Sequence, residues 1–193
     1  MQRCSWHNLE KSAVYQAYHD SEWGVASYDD SYLFEMLVLE SFHCGLSWLI
    51  ILNKRQAFQD AFDNFDVNAV AHYDERKINA LLQDKNIVRN RAKIAATIAN
   101  AKAFIAVQRE FGSFCEYIWS FTGKQVLYAP DDVLRATNEL SDTVAKDFKA
   151  RGFSFLGSVT TYSFLEAIGI MNNHQSHCFC YTKPALKTSA GKS

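Results

Sequence analysis

Apolar side chains return every three or four positions along most of this 193-residue chain, and that spacing commits it to helices. After the start signal Asp29-Asp30-Ser31, residues Leu33, Phe34, Leu37 and Val38 form one stripe. A second run, from about Leu46 to Phe62, is apolar at first and amphipathic later. Asp66 and Asp74 stand where caps belong for short helices through Ala71 and Leu82. From Asn90 to Phe111, residues Ile94, Ile98, Ala101 and Ile105 keep helical spacing until Gly112 stops the run. Leu140, Val144 and Phe148 mark another helix, with Lys149 and Arg151 in its last turn and Gly152 after it. A final helix is expected from about Val159 to Met171. Strand-like alternation is scarce. Gln125–Tyr128 is the best case, inside a poorly patterned stretch from about Thr122 to Asn138. The expected fold class is all-α.

Only 8 Gly and 2 Pro punctuate the chain, and no linker or repeat divides it. Residues 1–183 read as a single unit of two helical lobes, and 184–193 as a disordered tail. No run of about 18 apolar residues suggests a membrane span. The segment Met1–Lys11 lacks the apolar core of a signal peptide, so a cytoplasmic protein is expected, with no membrane partner. Lys and Arg number 20 against 21 Asp and Glu, so any nucleic-acid contact must come from a local basic patch. Five cysteines are an odd number for a disulfide framework and suit reduced thiols, some on a metal.

Glu40 falls on the helical face of Leu33 and Leu37, near a C-terminus whose dipole disfavours an anion. It either reaches water at the helix margin or is a buried carboxylate with a task. Gly45-Leu46-Ser47-Trp48 follows, where Gly breaks the helix and Ser47 can cap the next one. Trp48 then arrives beside Glu40, either as a core residue or as a stacking face for a planar base. Aromatic residues crowd the first part of the chain, and most of them should be core. If a second stacking face opposes Trp48, Tyr18 is the first choice and Tyr15 the second.

Cys4 and His19 lie near one end of the chain, and His174-x3-Cys178 near the other. Two Cys and two His make a closed structural metal site, for which His177 and Cys180 are competing ligands. Between two helices, the turn from Leu82 to Lys93 carries Lys85, Arg89, Arg91 and Lys93, a local positive patch beside a helix N-terminus.

Arg3-Cys4-Ser5-Trp6, Tyr18-His19-Asp20-Ser21-Glu22-Trp23-Gly24, Leu39-Glu40, Gly45-Leu46-Ser47-Trp48, Asn90-Arg91-Ala92-Lys93-Ile94, Trp119-Ser120-Phe121, Arg151-Gly152-Phe153 and His174-x3-Cys178 occur in this order and spacing. From Cys4 to about Tyr181 the chain resembles the DNA-3-methyladenine glycosylase I family of helix-hairpin-helix repair enzymes. That resemblance implies a monofunctional hydrolase of N-glycosyl bonds acting on 3-methyladenine in double-stranded, alkylated DNA. It implies structural Zn2+ on Cys4, His19, His174 and Cys178. It makes Glu40 the catalytic, base-reading carboxylate, with Tyr18 and Trp48 stacking on the base and Tyr15 and Trp6 beside them. Lys85, Arg89, Arg91 and Lys93 would grip DNA, and a bacterial, nucleoid-associated location would follow. The chain departs from the pattern at Ala26, Ser41, His43, Cys44, Asn86 and Asn173. Asn86 stands where the family carries a Gly, and Asn tolerates positive φ better than most residues. Asn173 stands where an Asp would support His174. A bifunctional lyase would need an acid after its lysine, and no Asp or Glu occurs between Lys85 and Glu110. A non-catalytic, zinc-stabilised module that binds damaged DNA or a free base is the alternative reading.

Overall fold

Asp29 accepts the N–H of Ser31 and starts α2 (Asp30–His43), the helix around which the others gather. Every residue from Leu33 to Phe42 is buried, so the apolar stripe is one sector of a helix covered on all sides. Its neighbours are α3 (Trp48–Ala61), α6 (Arg91–Phe111), α7 (Phe114–Ser120) and α9 (Ser158–Ala167). The structure, a computed structural model, describes residues 1–128 and 132–181. The tail expected at 184–193 lies outside the described residues. None of the described helices is long and apolar enough to cross a membrane.

The caps expected at Asp66 and Asp74 are present at the starts of α4 (Val67–Ala71) and α5 (Glu75–Gln83), and Asn90 adds an unannounced one at the start of α6. Each such cap contributes about 1 kcal/mol. Gly112 ends α6 at φ 89°, and Ser113 then caps α7, a helix the periodicity does not announce. Seven residues are too few to show a period of 3.6. Asn138 and Ser141 form a reciprocal capping box at the start of α8 (Glu139–Ala150), which packs on α9.

Helix α9 stops at Ala167, short of the expected Met171. Gly169 turns the chain at φ 73°, and Met171–Asn172 then pairs in parallel with Leu127–Tyr128. The alternation at Gln125–Tyr128 yields only that two-residue strand. The turn at Gly169 lets the segment after α1 (Ala13–Ser21) lie against the end of α9. Gly24 N–H donates to Glu166 C=O and Ser27 N–H to Ile168 C=O, both at 3.0 Å. A Cβ at Gly169 would stand 2.1 Å from the Val25 carbonyl carbon. The chain ends also meet: Phe179 N–H donates to Gln2 C=O at 2.9 Å, and Arg3 forks onto Asp20 with two contacts of 2.8 Å.

Gly169→Ala therefore combines a backbone clash with an unfavourable φ, and a loss of about 3 kcal/mol or more is expected. At this chain length that is a fall in Tm of roughly 6–12 °C. Thermal denaturation checks it; a change under about 2 °C contradicts the close approach.

Candidate active site

Glu40 is buried, at 3% exposure, and does not reach water at the helix margin. Burial pushes its carboxyl above the ordinary range, and a contact with His43 pulls it back. His43 Nδ1 lies 3.2 Å from Glu40 Oε2, one turn along α2. Just beyond, Lys93 Nζ donates to the carbonyls of Phe42 at 2.8 Å and Cys44 at 2.6 Å. This corrects the expectation that Lys93 grips DNA. Its side chain turns inward to neutralise the C-terminal end of α2, and desolvation lowers its pKa.

Gly45 takes φ 78° and releases the chain from α2. Ser47 occupies the N-cap position of α3, but its side chain makes no capping bond. Trp48, the first residue of α3, is nearly buried, and its indole N–H has no partner among the described residues. Trp48 lies 5.4 Å from the Tyr18 ring at 56° and 5.3 Å from the His43 ring. Tyr18 and Trp48 thus touch at a tilt. They form adjoining walls rather than the parallel faces that a sandwiched base would need. Burial raises the pKa of Tyr18 well above the usual phenol value, and the charge of Glu40 adds to it. Tyr15 is raised by the same two causes.

Trp6, Tyr15, Tyr18, Glu40, His43 and Trp48 all face one cavity of about 220 Å³. The expected pocket residues therefore converge. Other lining residues are not announced by the sequence, among them Trp23, Arg135, Tyr162, Glu166 and Asn173. The signal for Glu166 resembles that for Glu40, since it is the one charged residue of its helix, Ser158–Ala167. Asn173 does not support His174. Its amide donates instead to Tyr162 Oη at 2.8 Å and Glu166 Oε1 at 2.7 Å.

Behind this wall, Cys4, His19, His174 and Cys178 are all buried, with ligand atoms within 4.8 Å of one another. Cys4 Sγ and Cys178 Sγ each lie 3.5 Å from His174 Nδ1, and Cys178 Sγ lies 3.6 Å from His19 Nε2. A tetrahedral cation with ordinary Zn–N and Zn–S bonds would space such atoms by about 3.6 Å. The outer ring nitrogens are also occupied: His19 Nδ1 is 2.8 Å from Asp20, and His174 Nε2 is 3.0 Å from Trp23 C=O. The residues present thus fit a metal ion. Burial pushes the Cys4 thiol up to about 12 and His174 down to about 4, so a cation binding here must displace thiol protons. Of the competing ligands, His177 turns away to Arg3 C=O at 3.2 Å, whereas Cys180, 3.8 Å from Asp20 C=O, forms a second, less buried group with His19 and Asp20. Trp6 contacts the Tyr15 ring at 5.3 Å and the His19 ring at 4.8 Å, which joins the cluster to the cavity wall.

The turn between α5 and α6 presents Lys85, Arg89 and Arg91 to solvent. Arg91 also meets Glu75 at 3.0 Å. Asn86 does not take the positive φ that a glycine position suggests. The turn is held instead by Asp84, whose carboxylate accepts Asn86 N–H at 2.8 Å, and by Lys54, which donates to Asn86 C=O at 2.8 Å.

A buried carboxylate thus shares one cavity with tilted aromatic rings, the arrangement of a pocket shaped for a flat ligand. The chain belongs to the methyladenine glycosylase family, whose model matches residues 6–181. It is 39% identical over 184 residues to the DNA-3-methyladenine glycosylase 1 of Escherichia coli K12, covering 94% of this chain and 97% of that one. A crystal structure of a 3-methyladenine DNA glycosylase I superposes with a TM-score of 0.89 at 40% identity, covering 94% of this chain and all of that one. A point variant of such an enzyme, solved in complex with 3-methyladenine, gives 0.87 at 36% identity over 90% of this chain and 95% of that one.

The raised pKa of Glu40 has a consequence for stability. The folded carboxyl keeps its proton to higher pH than an unfolded one, so ionisation costs stability as pH rises through the folded value. Glu40→Gln is expected to raise Tm near neutral pH, by roughly 2–4 °C for each kcal/mol gained. The gain should vanish below about pH 4, where both states are protonated. Denaturation scans across that range check it, and a difference that does not change with pH contradicts it.

Proposed function

We infer that this chain hydrolyses the N-glycosidic bond of 3-methyladenine in alkylated DNA. The observation that carries this reading is the single cavity shared by Glu40, Tyr18 and Trp48. A purine alkylated at N3 within DNA is cationic, so its bond to deoxyribose is already weak and the base departs neutral. The protein must extrude the nucleotide, hold the base and favour departure, with little acid catalysis. Tyr18 and Trp48 supply apolar walls for the ring. Glu40 accepts from the amino edge and places negative charge near the cation that develops on the sugar. Unmodified adenine is neutral and stays stacked in the duplex, and nothing in this pocket pulls it out.

The turn between α5 and α6 is read as the hairpin that holds the phosphate backbone, through Lys85, Arg89, Arg91 and the free N–H groups opening α6. Lys93 is engaged with two carbonyls, and no Asp or Glu lies between Lys85 and Glu110 to assist either lysine as a lyase nucleophile, which supports a monofunctional enzyme.

Incubation with methylated duplex DNA and identification of the released bases tests this reading. Wild type should release 3-methyladenine. Glu40→Gln and Trp48→Ala should each lose about 10²-fold or more in single-turnover rate. Reversing charge at Arg89 and Arg91 together should weaken DNA binding and reduce the salt slope by about 2. Binding without release would favour the non-catalytic module instead.

Cys4, His19, His174 and Cys178 are proposed to hold one structural Zn2+. Its role is to pin the two chain ends behind the cavity, with no part in the reaction. Elemental analysis should find one zinc per chain, and chelation should lower Tm by about 10 °C or more. Full activity in a zinc-free, equally stable protein would refute the site.

A further inference from the structure

The base pocket has a second carboxyl that the reading above does not use. Glu166 lies on α9 across the cavity from the end of α2, and its side chain is held in one pose. Oε1 accepts from Asn173 Nδ2 at 2.7 Å, while Oε2 has no hydrogen bond among the described residues.

We propose that Glu166 is a second base-contacting residue, a neutral carboxylic acid whose O–H donates to an acceptor nitrogen of the extruded purine while Glu40 remains the anion. This rests on the glycosylase reading. Two buried carboxyls in one cavity do not both ionise cheaply, so the pair keeps a proton. The neighbourhood decides which oxygen carries it. Glu40 has His43 at 3.2 Å, whereas Glu166 has only a neutral amide. Burial holds Glu166 up to about 8, and the charge of Glu40 adds to the effect. Because Asn173 donates to Oε1, the proton belongs on Oε2, the oxygen left for a ligand. A purine that carries an amino group beside ring-nitrogen acceptors then meets one acceptor and one donor, each fixed before binding.

The other titratable groups on the cavity are Tyr15 and Tyr18 from α1, His43 from α2, Tyr162 from α9, and Asp132 and Arg135 from the segment before α8. Only Glu40 among the charged ones shifts Glu166. Tyr15 and Tyr18 are raised above the usual phenol range. His43 is unchanged in a Glu166 variant, so comparison with wild type cancels it.

The test uses the full chain, with free 3-methyladenine as probe and tryptophan fluorescence as readout, from about pH 6 to pH 9.5, bracketing the range in which a carboxyl raised to about 8 would titrate. Wild-type affinity should fall as pH rises through about 8, because the anion cannot donate. Glu166→Gln keeps an N–H donor that does not titrate. It should stay within about threefold of wild type near neutrality and lose the alkaline fall. Glu166→Leu should bind about tenfold more weakly at neutral pH. The proposal is overturned if Glu166→Leu binds like wild type, or if Glu166→Gln keeps the alkaline fall. Should the Leu variant fail to fold, the comparison of Gln with wild type decides alone. Excision assayed in parallel separates the two ideas. A wild type that binds free base but releases none sinks the glycosylase reading, whereas normal release with no Glu166 effect sinks only this one.

Discussion

Glu40 puts a carboxylate on the inside of a helix that is covered on every side, and the surrounding residues answer the cost of that placement. An unpaired charge there would cost several kcal/mol. His43 stands one turn on, within 3.2 Å. Lys93 reaches from α6 to the last carbonyls of α2, so the negative end of that helix is neutralised just beyond the carboxylate. Gly45 and Ser47 reverse the chain so that Trp48 closes over the same spot. The cavity is what remains when a central helix carries a carboxylate at this point and its neighbours do not fill the space beside it.

The Cys/His cluster belongs to the same construction. Trp6 and Trp23 pack edge-on at 4.5 Å, and each also touches a histidine of the cluster. The cluster and the cavity wall are therefore packed directly against each other. The pose of the rings that would meet a base depends on the geometry of four residues drawn from the two ends of the chain.

Helix positions were legible because each signal is local. Asp29, Asp66 and Asp74 cap helices where their side chains read as caps, and Gly112 stops α6. The convergence of Cys4, His19, His174 and Cys178 was legible through the family resemblance, since spacing alone left His177 and Cys180 open. What could not be read depends on partners distant in the chain. Lys93 has the same charge as Arg89 and Arg91, and nothing local says that it faces the carbonyls of Phe42 and Cys44. Asn173 sits beside His174 in sequence but serves Glu166 in space. Periodicity in the Ser158–Ala167 helix gives no sign that Glu166 faces the same cavity as Glu40. The tilt between Tyr18 and Trp48 is set by the crossing of α1 and α3, which no residue pattern encodes.

The joining of the two ends also bears on when the molecule becomes competent. Cys4 and His174 are 170 positions apart and must be 3.5 Å from each other. A chain emerging from the ribosome can form its middle helices early, since their caps and contacts are near in sequence. The rear wall of the cavity has to wait until His174 and Cys178 have been made. A polypeptide that stops short of them lacks the finished cavity, however many of its middle helices have already formed.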